Sequence, residues 1–333
     1  MTKRSLLLVL AHGILGWGSP AEGRDVRQDY YIGLRPFLEQ RYGSRDDLAL
    51  TIMAPQVPVS DSAAARGEQL KEAIRIQLQD MPLETRVHII AHSMGGLDGR
   101  WVIAEGSLSD RIDSLITIAT PHRGTSLGNV AYALRDVIPT VAKGIYRADQ
   151  LIREIEGTFH EWFKRFSRRK IPLTGDYLEC LRHLLGNLVK QTTRPQLERG
   201  LYDLTLEGVQ KFNAGLAEAE QKIRSGAGQH IMYVAYGGTL PSESASSLKP
   251  SYELIRTFGT DQERAAGNDG AVSEWSSHFP WDDSGGEYVT TLHYDHFAQI
   301  NWHIPDFRLS DEMEPALMAV YHGIMDRILS IRT

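Results

Sequence analysis

Short apolar runs recur along this chain at 5–11, 48–54, 86–92, 115–119 and 230–236, with a weaker one at 288–292. Each has strand length rather than helix length. Between them the apolar positions take helical spacing, as over 66–79, where Leu70, Ile74 and Leu78 repeat every fourth residue. Strands alternating with helices predict an α/β fold whose central sheet is mostly parallel and covered by helices on both faces. Chemistry in such sheets collects at the carboxyl ends of the strands. From 125 to 222 the strand pattern stops, and helices are predicted over 127–138, 149–166, 176–189 and 196–222. The expected organisation is a core built from 1–124 and 223–333, with 125–222 inserted as a helical lid or cap. Trp162, Phe163 and Phe166 form an apolar stripe with Ile152 and Ile155, beside Arg153, Lys164 and Arg165. Such a stripe packs on the core or lines a lid over an apolar cleft.

Composition narrows the function classes. With 333 residues, 42% hydrophobic and 23% charged, the chain can bury a large core and has no disordered signature. A net charge of -6 argues against nucleic acid as a partner, because a phosphate binder needs a basic face. The single cysteine, Cys180, cannot form an internal disulfide, which fits a reducing compartment. The opening 1–10 imitates a short secretory leader. It runs into Ala11-His12-Gly13 without a spacer or cleavage site, so it is read as the first core strand. A cytoplasmic location is expected, with secretion the alternative. No apolar run reaches membrane-spanning length.

The stretch Val87-His88-Ile89-Ile90-Ala91-His92-Ser93-Met94-Gly95-Gly96 carries the candidate chemistry. A strand breaks into a helix-like run from Leu97 to Glu105 through a small-x-Ser-x-Gly turn, which exposes the middle side chain at the strand's carboxyl end. This is the nucleophile elbow of α/β-hydrolases, with Ser93 as nucleophile. A serine hydroxyl needs an imidazole to take its proton, and the imidazole needs a carboxylate to fix its tautomer. In this fold the chain order is serine, acid, histidine. His296, in the loop after the weak last strand, ranks first as base, ahead of His293 and His303. His278 is the remaining downstream histidine, and His322 falls in a terminal amphipathic helix, where it packs. Asp269, between flexible turn residues in Gly267-Asn268-Asp269-Gly270, is the first choice of acid, with Asp282, Asp283 and Asp295 as rivals. The oxyanion hole requires two converging amides. Met94, after the nucleophile, supplies one, and Ile14, in the loop after the first strand, supplies the other. His12, His92 and His122 are read as structural. Zinc on His293 and His296 has weak support, since neither a His-Glu-x-x-His pattern nor a second cluster accompanies the pair. No metal and no cofactor is expected.

Seven blocks carry a wider resemblance: 11–16, 66–70, 91–96, 120–125, 204–213, 268–272 and 295–301. Together they resemble the bacterial true lipases of the Pseudomonas and Burkholderia type. The longer elbow through Leu97-Asp98-Gly99-Arg100 is also similar to fungal triacylglycerol lipases. The resemblance implies an α/β-hydrolase that cleaves acylglycerol esters with Ser93 as nucleophile, Asp269 as acid, His296 as base, and Ile14 and Met94 as oxyanion donors. It also implies a lid over 125–222 and transient contact with a lipid–water interface. Acyl transfer through the same triad, or an esterase restricted to short, soluble esters, is the alternative. Two departures stand out. Lipases of the Pseudomonas type bind calcium through an aspartate two residues after the catalytic histidine, where this chain has Ala298, and a later glutamine position is Trp302. They also tend to carry a disulfide, which one cysteine cannot make.

Overall fold

The structure, a computed structural model, describes residues 3–16, 30–136, 138–139, 190–241, 246–281, 286–302 and 313–331. The strands are β1 Arg4–Ala11, β2 Leu48–Met53, β3 Arg86–His92, β4 Ile112–Ile118, β5 Met232–Gly238 and β6 Glu287–Leu292. They form one sheet in the order β2-β1-β3-β4-β5-β6, and every neighbouring pair is parallel. The described helices are α1 Leu34–Tyr42, α2 Ala63–Gln79, α3 Gly95–Glu105, α4 Ser126–Ala133, α5 Arg194–Tyr202 and α6 Leu206–Ser225. They continue as α7 Lys249–Phe258, α8 Asp261–Ala265, α9 Glu274–Ser277 and α10 Pro315–Ser330. None of them is long and apolar enough to cross a membrane.

Both faces of the sheet are covered, which is why the central strands read as mostly apolar rather than alternating. On one face Leu6, Leu8, Leu10, Ile90, Ile116 and Ile118 pack with Leu34 and Leu38 of α1 and Leu317, Tyr321 and Ile324 of α10. On the other, Leu7, Val9, Val87, Ile89 and Leu115 meet Leu70 and Ile74 of α2 and Val102 and Ile103 of α3. Each fully buried Leu or Ile contributes roughly 2 kcal/mol by leaving water. This is the doubly covered parallel architecture of the α/β-hydrolases.

The predicted helix over 196–222 is two helices. Thr205 interrupts it, its hydroxyl accepting the Gly208 amide at 2.8 Å to cap α6. Leu201, Leu204 and Val209 are all buried on either side of this break, so apolar spacing alone runs straight through it. The helix predicted over 127–138 ends at Ala133. The predictions over 149–166 and 176–189, the Trp162 stripe and Cys180 lie outside the described residues.

What is described of residues 125–222 is joined to the sheet and its flanking helices by ionic and polar contacts. Arg199 of α5 binds the Asp61 carboxylate at 2.7 Å, and the Ala63 amide at the start of α2 donates to Asp203 at 2.8 Å. Deeper, Arg100 of α3 and Glu220 of α6 form a buried bidentate pair with bonds of 2.8 and 2.9 Å. Asn213 and the Trp281 indole complete its hydrogen bonds at 2.8 and 3.0 Å. Removing one partner leaves a buried, uncompensated charge. Glu220→Ala is therefore expected to destabilise the protein by about 3–5 kcal/mol in urea unfolding, and an effect below about 1 kcal/mol contradicts the enclosed pair.

Candidate active site

Ser93 sits where β3 must become α3 without an intervening loop. Its φ is 54°, in the left-handed region that a side chain rarely adopts. Such a backbone costs about 1–3 kcal/mol and needs surroundings that enforce it. Its amide donates to the Ile118 carbonyl at 2.9 Å, pinning the turn to the end of β4. The turn also needs missing side chains. A Cβ at Gly95 would lie 2.6 Å from the Ala11 carbonyl oxygen, and one at Gly13 would lie 2.8 Å from the Ser93 Cβ. The elbow and the β1 loop thus touch through glycine, which brings the Ile14 and Met94 amides to the same edge as Ser93. Among the described residues, neither amide is taken by a main-chain carbonyl.

His296 reaches the same edge from the loop after β6. Its Nε2 lies 3.0 Å from the Ser93 Oγ, and its Nδ1 lies 2.9 Å from Asp269 Oδ2. A carboxylate only accepts, so Nδ1 carries the proton and Nε2 presents its lone pair to the serine O–H. The main chain repeats the contact, the His296 amide donating to the Asp269 carbonyl at 2.9 Å. Asp269 is itself held from three further sides. The Ala271 and Val272 amides donate to Oδ1 at 2.9 and 2.8 Å, and the Gln299 side-chain amide donates to Oδ2 at 2.9 Å. Ser93 and His296 are each 5% exposed and Asp269 is 0% exposed, so the set works with little screening by water.

The rival candidates lie elsewhere. Asp295 engages both oxygens locally, Oδ1 accepting the Phe297 and Ala298 amides at 3.0 and 2.8 Å and Oδ2 the Ser246 hydroxyl at 2.6 Å. Burial raises its pKa. His293 is exposed at the end of β6. His278 stacks on Tyr288 at 3.8 Å, and His322 on α10 bonds Asp326 at 3.1 Å. Asp282, Asp283 and His303 lie outside the described residues. Sequence reasoning does not single out Gln299, three positions beyond the histidine. Its signal is an amide in the otherwise apolar Phe297-Ala298-Gln299-Ile300.

The residues do not fit the calcium site of the Pseudomonas-type relatives. Ala298 has no oxygen ligand in its side chain, and the Trp302 indole is a donor, bonded to the Tyr30 carbonyl at 2.8 Å. Among the described residues no group of three or more His, Cys, Asp or Glu could hold a metal ion.

Apolar clusters enclose Ile14 and Met94. Ile14 and Leu15 pack with Val59, Ile138, Leu197 and Leu201, and Ile14 and Met94 share a second cluster with Leu97, Leu204 and Val209. Below them, α2 and α3 are locked by Arg66, which pairs with Asp98 at 2.8 Å and donates to the His12 carbonyl at 2.7 Å.

Residues 62–136 match the family described as PGAP1-like alpha/beta domain. The chain is similar to a triacylglycerol lipase of Pseudarthrobacter phenanthrenivorans, at 27% identity over 88% of each chain. It is equally similar, at 27%, to a triacylglycerol lipase of Burkholderia plantarii, over 88% of this chain and 78% of that one. In fold it is similar to the crystal structure of Staphylococcus hyicus lipase, with a TM-score of 0.58 and 19% identity over 98% and 96% of the two chains.

Four histidines around this edge and in β3 are buried and held neutral. Burial lowers the pKa of His12 and of His88 to about 3, and that of His92 and His122 well below the usual value. The unfolded chain takes up protons near pH 6.5 that the folded state refuses. Stability is therefore full above about pH 6.5 and falls as the pH drops below it, by up to about 1.4 kcal/mol per pH unit for each histidine. Asp203 and Asp295, raised by burial, act with the opposite sign. The comparison of His88→Leu with the parent isolates one histidine. Urea unfolding between pH 7.5 and 5.5 is expected to give a shallower loss for His88→Leu, and parallel curves contradict the assignment.

Proposed function

We propose that this chain is a carboxylic ester hydrolase of the triacylglycerol lipase type, working through an acyl-enzyme on Ser93. The observation that carries the reading is the unbroken hydrogen-bonded line from Asp269 through His296 to Ser93 at the carboxyl edge of a parallel sheet. The similarity to two bacterial proteins named triacylglycerol lipase supports acylglycerol esters as the substrate class.

In this reading the Ser93 oxygen attacks the ester carbonyl as its proton passes to His296 Nε2. The imidazolium that forms is stabilised by the Asp269 carboxylate, which stays ionised. The negative oxygen of the tetrahedral intermediate takes hydrogen bonds from the Ile14 and Met94 amides. One such donor is worth about 3 kcal/mol of barrier. As the intermediate collapses, His296 returns the proton to the departing alcohol. It then activates water to release the acid by the same steps. The α3 N-terminus, directly after Ser93, adds a favourable dipole for the oxyanion. The described part of the 125–222 insertion, packed on Ile14 and Met94, supports a lid role that admits the acyl chain at a lipid–water interface.

Initial rates on p-nitrophenyl butyrate and emulsified triolein test the reading. Ser93→Ala and His296→Ala are expected to lose at least about a thousandfold in kcat, while the His293→Ala protein keeps parental rates. Retained turnover in Ser93→Ala overturns the mechanism. Cleavage of butyrate without triolein removes the lipase assignment and leaves an esterase.

A further inference from the structure

The imidazole before the nucleophile has a contact that packing does not require. His92 Nε2 lies 2.9 Å from the main-chain carbonyl oxygen of His296, while its Nδ1 lies 2.8 Å from the Tyr30 hydroxyl. The two imidazoles lie side by side, with ring centroids 4.6 Å apart. A carbonyl can only accept, so His92 Nε2 must carry a proton. Burial and the neighbouring His296 both keep His92 in its neutral form. Its Nδ1 is then an acceptor, and the Tyr30 O–H must donate to it. The Tyr30 hydroxyl in turn lies against Gly13 in the loop after β1, where a Cβ would sit 2.8 Å from it.

Both hydrogen bonds in this line point one way: Tyr30 to His92, and His92 to the His296 carbonyl. The line joins the loop holding one oxyanion donor to the backbone of the proposed base. Tyr30 is itself fixed, its carbonyl accepting the Trp302 indole at 2.8 Å and its ring lying edge-on to Trp302 at 5.5 Å.

We propose that His92 is a positioning residue for ester hydrolysis, a neutral imidazole whose tautomer is set by Tyr30 and whose Nε2–H holds the main chain of His296 in register with Ser93. The inference rests on the hydrolase reading above and extends it to two residues that touch no reacting atom. The main chain of His296 is otherwise anchored at its amide by Asp269. Fixing the carbonyl as well removes the peptide's remaining freedom, so the imidazole keeps its distance from both the serine and the leaving alcohol. Misplacement of a catalytic group by about 1 Å costs on the order of a hundredfold in rate.

The test is a double-mutant cycle in the full chain, read as kcat and KM on p-nitrophenyl butyrate. In His92→Gln the side-chain amide nitrogen takes the place of Nε2 and donates without needing a tautomer. In His92→Phe no donor remains. His92→Phe is expected to lose about a hundredfold in kcat with KM within about threefold, and His92→Gln to recover at least about tenfold of that loss. Tyr30→Phe is expected to lower kcat about tenfold in the parent and less than about twofold in the His92→Gln background, where no tautomer needs setting. An equal cost of Tyr30→Phe in both backgrounds overturns the relay, even where His92→Phe does not fold. Parental kcat in a folded His92→Phe protein overturns it too. Both results leave the hydrolase reading standing, which falls only if Ser93→Ala remains active.

Discussion

The left-handed backbone of Ser93 is the constraint on which the rest of this molecule depends. A β-strand and an α-helix can be joined with no loop only if one residue reverses the chain sharply, and the φ of 54° at Ser93 does so. The strain is tolerated because β4 holds the Ser93 amide from one side and the β1 loop closes on the other through Gly13 and Gly95. The side chain is left standing at the sheet edge, with the first amides of α3 beside it. The parallel sheet and the buried pairs Arg66–Asp98 and Arg100–Glu220 lie behind the turn rather than in it. They hold β3 and α3 rigidly enough for that one turn to persist.

Burial then decides the electrostatics. Asp269 is fully enclosed yet accepts hydrogen bonds from two amides, Gln299 and His296, so its charge is met by dipoles already in place. Preorganised dipoles of this kind cost no rearrangement when charge develops during reaction. Four neighbouring histidines meet the same burial without a carboxylate bonded to the ring and are kept neutral instead. One residue type is thus paired with a carboxylate at one position and kept as a neutral group where none is bonded to it.

The elements that the sequence made legible were those whose pattern is local. β3 ends at His92 as predicted, because a mostly apolar, β-branched run meets the small residues of the turn there. The parallel sheet followed from strands alternating with helices, and its six strands lie within a few residues of the apolar runs. The split between α5 and α6 escaped because the apolar face continues across Asp203, Leu204 and Thr205, and only the cap at Thr205 marks it. Within the site, Ser93 was readable from its turn, whereas Asp269 had three rivals that spacing could not separate. Both Asp269 and Asp295 accept the amides two and three residues on, and only the contacts to His296 and Gln299 distinguish Asp269; those contacts have no one-dimensional signature. Gln299, Tyr30 and the second role of His92 were illegible for the same reason, since their partners lie far away in the chain.

The most direct measurement is covalent: treat the full chain with a fluorophosphonate, digest it and locate the adduct by peptide mass spectrometry. A nucleophile activated by His296 predicts a single phosphonylated residue, Ser93, and loss of the adduct when His296 is replaced by Ala. Labelling of another serine, or undiminished labelling of Ser93 without the imidazole, contradicts the convergence of the three side chains on which this account stands.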